Sequence, residues 1–178
     1  MKRLLFVLAV LLAPLAALAQ ADQWQTVVAP DLRFRLEMPT PVAKSTANEK
    51  ETGHAAARVA WESKRAGEMF DFDYVDYDPT WFTSRDSKQM AKDLGRGEAE
   101  KAFPPAKYKY VRDENVTLQG WDGYALEIED ATGAAVMMRT YIVRDRLYRM
   151  LVTAKPDPQS KSAAVRFVDS FRLAETRP

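Results

Sequence analysis

From Leu32 to Met38 the residues Leu32, Phe34, Leu36 and Met38 alternate with Arg33, Arg35 and Glu37. A period of two predicts a strand with one buried face. Pro39 and Pro41 end it, because proline has no N–H to give to a ladder. The polar stretch 45–53 shows no such alternation and reads as a loop. Ala55, Ala57, Val59 and Trp61 then alternate with Ala56, Arg58, Ala60 and Glu62, which predicts a second strand. Residues 64–67 read as the turn into a third, from Glu68 to Tyr77.

Asp78-Pro79 breaks that strand. Ser84 or Asp86 can cap a helix running to about Ala102, with Met90 and Leu94 on its inner face. Gly95 and Gly97 work against it, each costing about 1 kcal/mol relative to alanine. Pro104-Pro105 closes the segment. A meander follows: a strand from Lys107 to Leu118, a turn over 120–123, then strands 124–131, 134–143 and 146–154. If Thr132-Gly133 and Arg144-Asp145 are two-residue turns, Val143 pairs with Arg146 and Tyr141 lies opposite Tyr148. One face then carries Leu126, Ile128, Met137, Tyr141, Tyr148 and Met150; the other carries Val136, Met138, Ile142, Leu147 and Leu151. Both faces are apolar, so each must be covered. The helix over 84–102 can cover one. The other falls to a helix from Gln159 to Phe171, where Ala163, Ala164, Phe167, Val168 and Phe171 recur at helical spacing. The predicted fold class is α+β: an α/β/α sandwich with a central antiparallel sheet of about six to seven strands and a helix on each face.

The chain's beginning changes where this domain is expected to work. Lys2 and Arg3 precede an apolar run, Leu4 to Leu15, and small residues follow at Ala17-Leu18-Ala19 and Ala19-Gln20-Ala21. Charge, apolar run and A-x-A site in that order predict a secretory signal peptide over residues 1–19, with Gln20 as the new N-terminus and a periplasmic or secreted product. A spanning helix needs about 20 apolar residues, so no membrane anchor is expected after cleavage. Residues 20–178 are the length of one domain. Of 26 basic and 25 acidic residues, cleavage removes Lys2 and Arg3, leaving 24 against 25. A near-neutral chain has no long-range pull on nucleic acid or anionic membranes. With no cysteine and one histidine, thiol chemistry, disulfides and poly-imidazole metal sites are closed to it.

Three segments resemble bacterial exported proteins with the PsbP-like fold. They are Trp24 followed by Asp31-Leu-Arg-Phe-Arg-Leu-Glu-Met-Pro-Thr-Pro41, then Tyr141-Ile-Val-Arg-Asp-Arg-Leu-Tyr-Arg-Met-Leu-Val152, and Ala164-Val-Arg-Phe-Val-Asp-Ser-Phe171. That fold is an α/β/α sandwich named for an extrinsic photosystem II protein and shared with a yeast nuclear-transport factor. The motifs are core residues and a turn, so the resemblance implies an architecture and brings no catalytic residue. Its better-known members act as binding or assembly partners, which implies a non-enzyme.

The densest chemistry lies in Glu68-Met-Phe-Asp-Phe-Asp-Tyr-Val-Asp-Tyr-Asp-Pro-Thr-Trp-Phe82. Asp76, Asp78 and a neighbouring carbonyl could hold a hard cation, which takes six to eight oxygen ligands when it is calcium. Tyr77, Trp81 and Phe82 could wall a ligand pocket beside it. The plainer reading is a half-buried strand, its aromatics in the core and its carboxylates in water, since the EF-hand spacing is absent. His54 has no motif to orient it as a base, and there is no G-x-S-x-G elbow. Arg139, Arg144, Arg146 and Arg149 gather in one hairpin near Glu127 and Glu129, where cross-strand charge pairing accounts for them. The sequence therefore predicts no catalytic residue, no cofactor and no metal centre. It predicts an exported binding or accessory domain that docks on another envelope protein. The alternative is a small-ligand or divalent-metal-binding protein using Asp76, Tyr77, Asp78 and Trp81.

Overall fold

The computed structural model describes residues 23–51, 54–82 and 85–175. The predicted signal segment lies outside them, as does Ser84. The first hairpin joins β1 (Trp24–Val28) to β2 (Phe34–Pro39). Phe34, Leu36 and Met38 point inward and are fully buried, as their alternation requires. Leu32 does not continue that pattern. It sits in the hairpin loop at φ 61° and is 70% exposed. Hydrogen bonds from Leu32 N–H to the Ala29 carbonyl (2.9 Å) and from Ala29 N–H to the Phe34 carbonyl (3.1 Å) close the loop. Pro30, with its fixed φ, suits the corner, so the chain reverses before β2 begins.

The predicted loop over 45–53 is instead mostly strand. β3 (Ala43–Glu51) pairs antiparallel with β4 (His54–Arg65), Ala43 opposite Glu62. It is an edge strand, exposed from Ala43 to Ala47. A stretch exposed on both faces, as 43–47 is, needs no apolar alternation, so periodicity gives no strand signal there. β5 (Glu68–Asp76) follows, then a 3-10 turn over Pro79–Trp81. Helix α1 (Ser87–Ala102) starts at Asp86, whose carboxylate accepts the N–H groups of Lys88 (2.8 Å) and Gln89 (3.2 Å). Met90, Ala91, Gly95 and Ala99 form its buried face, and Leu94 is partly buried beside them. At Gly95 helix and sheet approach too closely for a side chain. A Cβ there would lie 2.6 Å from Thr140 Oγ1, whereas one at Gly97 would meet nothing within 4 Å.

β6 (Tyr108–Leu118), β7 (Trp121–Asp130), β8 (Ala135–Val143) and β9 (Arg146–Ala154) form the meander. Arg144-Asp145 closes β8–β9 with Tyr141 opposite Tyr148, as expected. The β7–β8 connection differs. It spans three residues, 131–133, with Asp130 N–H bonded to the Ala134 carbonyl (3.0 Å) and Gly133 at φ 82°. A change of one residue in a turn flips every following side chain to the other face. Leu126 and Ile128 therefore pair with Met138 and Val136 and share the α1 face, not the face of Met137 and Tyr141.

The central sheet runs β3-β4-β5-β9-β8-β7-β6, antiparallel throughout. Helix α1 packs on β7 and β8. Helix α2 (Pro158–Ser170), capped by Asp157 accepting the Ser160 N–H (2.9 Å), covers the opposite face. It does so together with a second sheet, β1-β2-β10, where β10 is Arg172–Leu173. β2 thus leaves the central sheet and becomes part of its cover. Phe34 anchors this layer, its ring 4.6 Å from Phe72, 5.7 Å from Tyr148 and 5.9 Å from Phe171.

Candidate functional site

Side chains of β5 alternate, so Phe70, Phe72 and Tyr74 enter the core shared with α2, while Asp71 and Asp73 turn to the α1 face. Water does not receive both carboxylates. Asp73 is 3% exposed, accepting from Arg58 Nη2 (2.8 Å) and Arg149 Nε (2.9 Å). Burial, reinforced by the neighbouring Asp73 charge, pushes the Asp71 carboxyl up to about 6. Glu62, opposite Asp71 in register, adds to that rise.

Asp76 faces the other layer. It accepts two hydrogen bonds from Arg146, at 2.5 and 2.9 Å. The same guanidinium lies 2.8 Å from Asp31 and 3.9 Å from the Tyr74 ring centroid. Burial works to raise the Asp31 carboxyl; the Arg33 amide and Arg146 outweigh it and hold the group below its usual range. Tyr148, in the same layer, is pushed up to about 12 by burial. Asp78 is exposed and caps the 3-10 turn, accepting from the Thr80 N–H (2.9 Å) and hydroxyl (2.7 Å). Tyr77 and Trp81 are buried, their rings stacked 4.4 Å apart against the α1 core. The structure thus joins Tyr77 to Trp81 under α1 and ties Asp76 to Arg146 on the opposite layer. Among the described residues no three His, Asp or Glu side chains converge as a cation site. His54 opens β4, in register with Glu51.

The hairpin arginines pair as charge complementarity suggests. Arg139 meets Glu127 at 2.5 Å, and Arg144 forms a two-pronged contact with Glu175 at 2.9 and 2.8 Å. With Arg146 on Asp76 and Arg149 on Asp73, all four are engaged within the chain.

A different surface is left over. On the outer side of the small sheet Val28 stands opposite Arg35, and Arg35 opposite Arg172, in one row across three strands. Val28 is 50% exposed, and Leu32 projects beside it. A cleft of about 500 Å³, lined by Val28, Leu32, Phe34 and Leu173 with Arg35 and Arg172 on its rim, opens at that end. A second, polar cleft of about 550 Å³ lies on the far side of the arginine pair, among Thr26, Glu37, Arg166 and Asp169. Gln119 fixes this sheet to the central one: its side-chain amide donates to the Leu173 carbonyl (3.0 Å) and accepts the Leu173 N–H (2.8 Å). Sequence reasoning had placed Leu32 in the core and assigned Arg172 no role. Leu32 breaks the strand only because Pro30 turns the chain, and that proline was the available clue.

No family model matches the chain, and no curated protein matches it. Solved structures do. The cyanobacterial PsbP (CyanoP) of Synechocystis sp. PCC 6803 is similar with a TM-score of 0.56 at 12% identity, covering 84% of this chain and 92% of that one. LpqN of Mycobacterium tuberculosis, described as involved in cell envelope biogenesis, aligns with a TM-score of 0.42 at 16% identity over 86% of this chain and 91% of its own. With a seven-stranded antiparallel sheet covered by α1 on one face and by α2 and the small sheet on the other, this chain has the PsbP-like fold.

Proposed function

We propose that the chain is an exported, non-catalytic accessory domain that docks on another envelope protein through the outer face of the β1-β2-β10 sheet. The carrying observation is Leu32. A large apolar side chain is held 70% exposed by a residue at φ 61°, a backbone region that costs a non-glycine residue about 1–3 kcal/mol. The backbone at Leu32 closes the hairpin loop, but its side chain covers no core, and the cleft beside it is apolar. Of the other exposed large apolar residues, Val111 sits at a bulge of the edge strand β6 and Val165 alone on the outside of α2. Single apolar residues of that kind are ordinary. Val28 and Leu32 together are a patch.

Export rests on the charge, apolar run and A-x-A order of residues 1–21. No helix among the described residues is long and apolar enough to cross a membrane. N-terminal sequencing of the protein recovered from the periplasm is expected to begin at Gln20 or Asp22; an intact Met1 or Lys2 end in the membrane fraction refutes export. A photo-reactive residue at position 32, in the native host, is expected to capture a protein that the same label at position 165 does not. Equal capture at the two positions refutes docking through this face.

A further inference from the structure

Arg35 and Arg172 are directly opposed across β2 and β10. Like charges in that position repel and destabilise a sheet. Other surface arginines nearby have a carboxylate: Arg33 has Asp31 and Asp145, Arg144 has Glu175, Arg166 has Glu37. Among the described residues neither Arg35 nor Arg172 has one. Arg172 turns one nitrogen back to the Asp169 and Phe171 carbonyls (2.6 and 2.7 Å), which pins its head while its remaining donors meet no acceptor among the described residues. The nearest acid along β2, Glu37, is already held by Arg166 at 2.7 Å. Two opposed arginines without a carboxylate between them leave a paired cationic seat here, and that seat adjoins the Val28–Leu32 cleft.

Resting on the docking reading above, we infer that the partner presents an acidic–apolar segment: one carboxylate set between Arg35 and Arg172, and an apolar side chain seated beside Leu32. A guanidinium matches a carboxylate with two parallel N–H donors, so a carboxylate here can be gripped from both sides. A lipid surface fits less well. Polybasic lipid recognition uses clusters of about four to eight cations, whereas only Arg166 joins these two in the polar cleft, together with Glu37 and Asp169.

The test uses the full chain, exported in its own cells, with the photo-reactive residue at position 32. Replacing both arginines by glutamine is expected to cut cross-linking at least tenfold, while Arg35→Lys with Arg172→Lys retains part of it. The variant is expected to fold, because removing two opposed charges lifts a repulsion; its Tm should equal or exceed that of the parent at low salt. Mass spectrometry of the cross-linked peptide is expected to find Asp or Glu within a few residues of the attachment point. Undiminished cross-linking in the glutamine variant, or an attached peptide without a nearby carboxylate, overturns the carboxylate seat and leaves the docking reading standing. Label transferred to lipid overturns it in favour of a membrane surface. No capture above the position-165 control refutes the docking reading, and the carboxylate seat falls with it.

Discussion

The strand end at Asp71–Trp81 and the outer face of the small sheet hold similar raw material and use it in opposite ways. In the first, charge and aromatic surface are consumed internally. Asp73 lies between Arg58 and Arg149, Asp76 binds Arg146, and Trp81 stacks on Tyr77. In the second, two arginines face each other, and Leu32 projects into solvent from a strained backbone. A dense run of chemistry-bearing residues is therefore a poor pointer to function by itself. Satisfied groups stabilise the fold, and it is the unsatisfied remainder that a partner can use.

The comparison breaks most easily at Asp73. Asp73→Ala leaves Arg149, 11% exposed at its side chain, without its carboxylate, and removing one member of a buried pair costs about 3–5 kcal/mol. Urea denaturation measures this; a loss under 1 kcal/mol shows that the acidic run is not structural. The next largest effect is pH-dependent. Asp71 holds its proton to about 6 in the folded state against an ordinary 3.8. The folded protein thus binds that proton more tightly than the unfolded chain, so the group favours folding at low pH and loses that contribution as pH rises through about 4 to 6. Asp71→Asn is expected to stabilise the protein at pH 8 by at most about 3 kcal/mol, a gain that fades at pH 4. Thermal melts at the two pH values decide it, and an equal effect at both refutes the burial account.

Two glycines of one helix sharpen the same distinction between used and unused positions. Gly95→Ala drives a methyl into Thr140 and Tyr124 and is expected to cost about 1–3 kcal/mol by overpacking. Gly97→Ala meets open space and is expected to gain about 1 kcal/mol of helix propensity. The same sign for both in denaturant titrations contradicts the close approach at Gly95. The smallest effect is at Leu32. Leu32→Asn suits the left-handed backbone and is expected to raise stability by up to about 1 kcal/mol, while cross-linking from the neighbouring position 28 falls. A stabilised variant that still docks removes Leu32 from the interface.

The sequence by itself determined most of the elements. Alternation and 3.6-residue spacing report burial of one face, so strands and helices buried on one or both sides were legible: β2, β4, β5, the four meander strands and both helices. The Arg144-Asp145 hairpin followed as well, because a two-residue turn leaves only one register for Tyr141 and Tyr148. Tertiary structure alone decided the rest. β3 is an edge strand, exposed over Ala43–Ala47, so it carried no periodic mark there. The three-residue turn at 131–133 moved Leu126 and Ile128 to the opposite face, a difference of one residue that composition does not encode. The docking face is the clearest case. Arg35 and Arg172 become neighbours only because α2 ends where β10 can pair with β2. Whether a charge is spent or left over depends on which side chains folding brings beside it, and neighbours far apart along the chain leave no local pattern to read.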